Sequence, residues 1–213
     1  MKPYLILLAL LLAISAAIMS ALFDASVVVK EGGVVESATA ILYGVLIALI
    51  LLLRKMRWPR GNYLSALILL ALLFRELDFD KAFTTMGIFK TTFYKSSGVP
   101  ALEKLVALIV IVLISVTFIV FLKHYQKNFL AEIRRLSQPE LGVAMAVFLG
   151  LFSKLILDGL PRKLAGMGLS PGDFVTKKHE VLEETLELGI PVSLLVSFYY
   201  LCRRAKPHEE EQG

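Results

Sequence analysis

The residues of this chain that are best suited to chemistry are ionisable side chains that interrupt apolar segments. His179, Glu183 and Glu187 recur every four residues, so a helix would place them on one face. Histidine and carboxylate groups are ligands that suit zinc, manganese or iron. We predict that these three residues and Glu36 are the candidates for binding a divalent metal, the one cofactor that the sequence suggests. The alternative is a helix start where acidic residues simply favour the N-terminal dipole.

A second set mixes charges of both signs. Arg75 and Lys154 are bases that could hold a phosphate or another anionic group. Glu76, Asp80 and Glu187 are acids that could exchange protons with a substrate or bind a metal. We predict that these five residues form a catalytic site. The alternative is a group of structural ion pairs that fix the geometry of the fold without taking part in a reaction.

Six apolar segments must position these residues. Hydrophobic residues make up 57% of the chain and the mean hydropathy is +0.72, more apolar surface than a soluble domain of this size buries. A spanning helix needs about 20 apolar residues, and the apolar runs are continuous rather than alternating, which excludes a spanning barrel. We predict an all-α, polytopic transmembrane helix bundle of about six spans, near Tyr4–Phe23, Val34–Leu53, Tyr63–Lys81, Leu105–Leu122, Leu141–Leu157 and Glu180–Cys202.

Basic clusters give the predicted orientation. They follow the second, fourth and sixth apolar segments, at Arg54–Arg60, Lys123–Arg135 and Arg203–Lys206. The positive-inside rule places these clusters, and therefore both termini, in the cytoplasm. We expect a multi-pass protein of the inner (plasma) membrane, with one transmembrane domain over residues 1–206 and a disordered tail over 207–213.

The ionisable residues gather at one predicted depth. Arg75, Lys154 and Glu187 lie 14 or 15 residues from the cytoplasmic ends of their segments, or about 21 to 22 Å along a helix. The third segment is apolar only over Leu64–Phe74, which is too short to cross. Either the helix continues through Arg75–Lys81, or it breaks at Arg75 and its polar backbone lines a cavity.

Four other segments carry predictions of their own. Ala82–Pro100 is rich in aromatic residues, and we expect it to lie on the membrane surface over the charged layer. The glycine-rich stretch Asp158–Lys178 suits a mobile gate. Lys123–Gln138 is basic and amphipathic, so we expect it to rest on cytoplasmic headgroups. Met1–Ala21 has features of a signal peptide, whose cleavage would leave five spans.

Three functions fit this pattern. The first is a membrane-embedded enzyme that acts on a lipid or lipid-linked substrate at the outer leaflet. The second is a small proton- or cation-coupled transporter, because acids outnumber bases in the charged layer. The third is a non-catalytic assembly or partner protein whose charges only order the bundle. Membrane lipid is the predicted partner and an oligomer is compatible with the pattern, whereas nucleic acid is not, because no aromatic and basic platform is present.

Overall fold

A computed structural model describes residues 3–21, 33–53 and 62–204, and every regular element in those ranges is a helix. The all-α prediction is confirmed. The predicted basic loop at 54–60 and the predicted tail at 207–213 lie outside the described residues. The helices are α1 (Pro3–Ala21), α2 (Val34–Leu53), α3 (Asn62–Glu76), α4 (Phe79–Phe83), α5 (Thr91–Lys95), α6 (Ala101–Arg134), α7 (Gln138–Phe152), a π-helical turn (Ser153–Leu157), α8 (Leu160–Gly166) and α9 (Asp173–Arg204).

Four of the described helices are long and apolar enough to cross a membrane. The spans are Val34–Leu52, Ala101–Arg134, Gln138–Leu157 and Lys178–Arg204, and Ile6–Ser15 is a shorter apolar helix. The chain is therefore compatible with a membrane protein. The six spans and the cytoplasmic termini stay predictions.

The third predicted span is divided in two. Helix α3 ends at Glu76, and Asp78 adopts a left-handed backbone conformation with φ of 46° before α4 begins at Phe79. Left-handed geometry costs a non-glycine residue energy and cannot continue a right-handed helix. A continuous helix over Tyr63–Lys81 is therefore wrong, and the alternative of a break near Arg75 describes the chain better.

Other boundaries also differ from the sequence prediction. Helix α6 runs unbroken through Arg134, so most of the predicted surface-lying segment Lys123–Gln138 continues that helix. The predicted mobile gate contains α8, and α9 begins at Asp173 within it. Charged residues alone do not end a helix, and their intrinsic helix propensity is high for lysine, arginine and glutamate.

The described residues form two compact units. One comprises residues 3–21, 33–39 and 131–204, and the other comprises residues 40–53 and 62–130. The single domain over 1–206 stays a prediction, and each unit is described below by itself.

In the first unit, α9 packs against both α7 and α1. Two glycines allow the close approach. A Cβ atom on Gly142 would lie 2.7 Å from Ser197 Cβ and 2.7 Å from Tyr4 Oη, and one on Gly189 would lie 2.6 Å from Leu11 Cδ1. Small residues at such positions are how apolar helices pack tightly without a hydrophobic driving force. The resulting three-helix packing holds the end of α7 firmly against α9.

In the second unit, the chain between α3 and α6 folds into a small cap, Phe79–Pro100. Its apolar core contains Ile88, Phe93 and Val99, which pack with Ala107 of α6. Phe74 and Phe79 stack across the break between α3 and α4, with ring centroids 4.6 Å apart. The cap is thus a packed structure of its own rather than an extended connector, and its position on a membrane surface stays a prediction.

Candidate functional site

The candidate site begins where α7 gives way to the π-helical turn. The backbone N–H of Asp158 donates to the carbonyl oxygen of Ser153, five residues earlier, over 2.9 Å. Single π-helical turns are rare and frequently occur at functional sites, because the wider turn redirects the side chains around it. Here two consecutive residues, Ser153 and Lys154, both reach side chains of α9.

Helix α9 supplies two acids to meet them. Glu183 and Glu187 are four residues apart and share one face of the helix. Lys154 Nζ lies 2.9 Å from Glu183 Oε1 and 2.7 Å from Glu187 Oε1. Ser153 Oγ donates a hydrogen bond to the same Glu187 Oε1 over 2.8 Å. We call Ser153, Lys154, Glu183 and Glu187 the Lys154 cluster.

The members of the Lys154 cluster differ in burial. The side chain of Glu187 is 8% exposed and that of Glu183 is 14% exposed, whereas Lys154 is 40% exposed. Ser153 is fully buried. A buried carboxylate is costly without a counter-charge or hydrogen-bond donors, so both acids depend on their partners. Lys154 is the more exposed partner in both contacts, so solvent reaches the lysine more readily than it reaches either acid.

Two further acids lie within electrostatic range. Glu184 interacts with Glu187, Glu36 and Glu183, and with Lys154. The carboxylates of Glu183, Glu184 and Glu187 thus lie within electrostatic range of the Lys154 ammonium group. Neighbouring like charges are costly in a poorly solvated region, and a cation among them lowers that cost.

The predicted metal set is only partly brought together. Glu183 and Glu187 contact Lys154, and Glu36 lies near Glu184, but His179 Nδ1 is engaged with the carbonyl oxygen of Val175 at 2.9 Å. Across residues 3–21, 33–53 and 62–204, no three His, Cys, Asp or Glu side chains are arranged to hold a metal ion. Metal binding by these four residues stays a prediction.

The remaining predicted catalytic residues lie in the second unit. Arg75 is partly buried at the end of α3, and Glu76 is buried with 8% exposure. Asp80 Oδ2 accepts a hydrogen bond from the backbone N–H of Ile88 over 2.9 Å, which ties α4 to the rest of the cap. The catalytic roles of these three residues stay predictions, and the structure gives Asp80 a structural task.

Ser153 is a site residue that we did not predict from the sequence. Its only sequence signal is that it stands beside Lys154, where two polar residues interrupt the apolar segment Leu141–Leu157. A regular α-helix separates consecutive side chains by about 100°, so the two residues would point in different directions. The π-helical turn that brings both to Glu187 has no recognisable sequence pattern.

Two features of the described residues bear on function. Four helices are able to cross a membrane, and the Lys154 cluster lies where the last two of them pack together. The chain matches no protein-family model, no curated protein and no solved structure.

Proposed function

We propose that the protein is a multi-pass inner-membrane transporter. It binds a small cation, in the first place a proton, at the Lys154 cluster and moves that cation across the membrane. One observation carries the proposal. Lys154 Nζ lies within 2.9 Å of carboxylate oxygens of both Glu183 and Glu187. An ammonium group seated between a buried acid and a partly buried one occupies the position that another cation could take.

The balance of charge favours a cation over an anion. Lys154 is already matched by two carboxylates, and Glu184 lies within electrostatic range of the same lysine. A phosphate group that approached Lys154 would have to displace an acid and would meet the others at short range, where repulsion is strong in a medium of low dielectric constant. Ionisable residues inside spanning segments commonly mark ion pathways and proton relays.

The geometry suggests how a cation could exchange. The partly exposed Lys154 ammonium withdraws from Glu183 and Glu187, and a proton or metal cation takes its place. Ser153 Oγ keeps its hydrogen bond to Glu187, so the carboxylate stays in position through the exchange. The return of Lys154 then expels the cation, because two positive charges cannot share the same two acids at little cost.

Reconstitution of the full chain in liposomes tests this function. We expect proton flux, followed with a pH-sensitive dye under an imposed pH gradient or potential. Glu187→Gln should reduce it to the rate of protein-free liposomes, because the amide cannot carry a proton. The matched control is Glu180→Gln, an exposed acid on the same helix outside the Lys154 cluster, which should transport like the unmodified chain.

Two results of this experiment would contradict the proposal. Equal fluxes in Glu187→Gln and the unmodified protein, with both correctly folded, would contradict a role for the Lys154 cluster in cation movement. Absence of flux in every variant, across protons and common monovalent cations, would contradict transport itself.

A second function is favoured by Ser153. Its Oγ atom donates to Glu187 beside Lys154, and a hydroxyl next to a carboxylate base and a lysine is an arrangement that can activate a nucleophile. Ser153 is fully buried, so this reaction requires the helices around it to open and admit the substrate. The corresponding activity would be an enzyme that acts on a lipid or lipid-linked substrate at the outer leaflet. Mass spectrometry of lipids incubated with the protein would detect a product that disappears in Ser153→Ala and persists in Ser115→Ala, an exposed serine of α6. Product formed equally by both variants would rule out Ser153 as the nucleophile.

A further inference from the structure

A polar cavity lies at the other end of α7 from the Lys154 cluster. It has a volume of about 340 Å³ and is formed where α6 ends, α7 begins and α9 ends. Such a volume is at the small end of the range for ligand sites, which suits a headgroup better than a nucleotide. Its lining includes Glu132, Arg135, Ser137, Gln138, Tyr200 and Arg204.

The turn between α6 and α7 fixes this lining. Leu136 adopts a left-handed conformation with φ of 56°. The N–H of Ser137 donates to the carbonyl oxygen of Glu132 over 3.1 Å, and the N–H of Leu136 donates to that of Ile133 over 2.8 Å. This pair of bonds is the Schellman ending of a helix, which leaves the chain little freedom. Arg135 and Gln138 are therefore held on either side of a rigid turn.

Two guanidinium groups meet on one carboxylate in the cavity. Arg204 Nη1 lies 2.9 Å from Glu132 Oε2, and Arg135 Nη1 lies 3.3 Å from Glu132 Oε1. Each guanidinium group has five N–H donors, so one carboxylate leaves further donors for another acceptor. Paired arginines with remaining donors are the usual binding partners of a phosphate group.

One residue that lines the cavity, Gln138, carries an acceptor without a donor. Gln138 Oε1 is buried and has no hydrogen-bond partner. Burying a carbonyl oxygen without a hydrogen-bond donor costs free energy, and an ammonium group could supply the donor. The cavity therefore combines donors for a phosphate with an acceptor for an amine.

We infer that this cavity binds a phosphoethanolamine group, with the phosphate on Arg135 and Arg204 and the ammonium on Gln138 Oε1. A phospholipid is the source that the surroundings favour. Leu136, beside two lining residues, is 51% exposed, and Tyr199, beside Tyr200, is 56% exposed. Apolar side chains at the edge of a headgroup site can contact acyl chains, and soluble phosphoethanolamine would make no use of them.

Native mass spectrometry of the detergent-purified full chain tests the inference. The protein is given equal amounts of phosphatidylethanolamine and phosphatidylglycerol. We expect retained phosphatidylethanolamine to exceed phosphatidylglycerol by about tenfold, the effect of a hydrogen bond to a charged group. Gln138→Leu should bring the ratio close to one, because only the amine contact is lost. Arg135→Gln/Arg204→Gln should lower retention of both lipids.

The matched control is Lys127→Gln/Arg134→Gln, which removes two exposed bases of α6 that do not line the cavity. It should retain the lipids like the unmodified chain. Equal retention of the two lipids by the unmodified protein would overturn amine recognition. A Gln138→Leu ratio that stays at about ten would do the same, even if the double arginine variant fails to fold. Displacement of the lipid by soluble phosphoethanolamine at the same concentration would overturn the lipid as the source.

Discussion

The Lys154 cluster and the cap at Phe79–Pro100 both contain acids that interrupt an apolar sequence, and they use them differently. Asp80 of the cap accepts from the backbone N–H of Ile88. Glu103, in the first turn of α6 beside the cap, accepts through Oε1 from the N–H and the hydroxyl of the cap residue Thr85 over 2.7 and 2.8 Å. In the Lys154 cluster, Glu183 and Glu187 meet a lysine side chain instead.

The difference separates acids that build the fold from acids that can exchange a partner. A backbone N–H is held in place by the chain, so an acid that rotates away from it leaves an unsatisfied donor behind. A lysine side chain has rotatable bonds and can leave, so its place can be taken by another cation. The same residue type at similar positions in the sequence pattern can therefore be structural in one region and functional in the other.

The largest expected effect concerns the lysines of the two regions. Lys154→Met leaves the buried Glu187 and the partly buried Glu183 without their counter-charge, and we expect a loss of about 2 kcal/mol in the free energy of unfolding. That is less than the roughly 3–5 kcal/mol for breaking a fully buried pair, because Lys154 is 40% exposed. Unfolding in mixed micelles measures it.

Lys81→Met is the matched control for this prediction. Lys81 is 41% exposed and lies 2.6 Å from Asp78, but that acid is itself 38% exposed. An exposed pair contributes about 0.5 kcal/mol. The double variant Lys154→Met/Glu187→Gln should recover part of the stability that Lys154→Met loses. Equal losses in Lys154→Met and Lys81→Met would erase the contrast between the two regions.

An intermediate effect is expected at Asp80. Asp80→Ala leaves the N–H of the buried residue Ile88 without its acceptor, at a cost of about 1–1.5 kcal/mol, the low end for an unsatisfied group because the bond is only partly buried. Asp80→Asn keeps an acceptor oxygen and should cost less. Because this acid holds the cap together, folded protein of either variant should transport at the unmodified rate. Asp80→Asn that is fully stable and has lost its flux would instead place Asp80 among the functional residues.

The smallest effect is expected at Glu103. Glu103→Gln keeps an oxygen that accepts from Thr85, so we expect the free energy of unfolding to fall by about 0.5–1 kcal/mol from the weaker neutral hydrogen bonds.

The corresponding change in the Lys154 cluster is Glu183→Gln. It removes a charge that faces Lys154, and it should also alter cation flux. Thermal unfolding and flux measured on both variants show whether charge or hydrogen bonding matters at each position. If flux changed in Glu103→Gln and not in Glu183→Gln, Glu103 would be the functional acid and Glu183 the structural one.

The sequence was sufficient to predict the fold class and most helix positions. Continuous apolar runs specify helices in a chain of this composition, and α2 has the predicted ends, Val34–Leu53. The break after α3 depends on a single left-handed residue, Asp78, which no periodicity reveals. The continuation of α6 through Arg134 was missed because a basic stretch was taken as the end of a span.

The candidate site was predicted in part. Lys154, Glu183 and Glu187 were all predicted as functional residues, though Glu183 was assigned to a metal rather than to a lysine. Their pairing required the packing of α7 on α9, which depends on glycines such as Gly142 and Gly189. Ser153 was missed because its position depends on the π-helical turn.

Infrared difference spectroscopy of the purified protein tests the central claim most directly, because it observes the carboxyl groups themselves. On a change of pH or addition of the transported cation, a glutamate of the Lys154 cluster should gain or lose a proton or a bound ion. The account predicts a carboxyl band that changes in the unmodified chain and in Glu180→Gln and is missing in Glu187→Gln. A spectrum without such a band, or one that Glu187→Gln leaves unchanged, would contradict it.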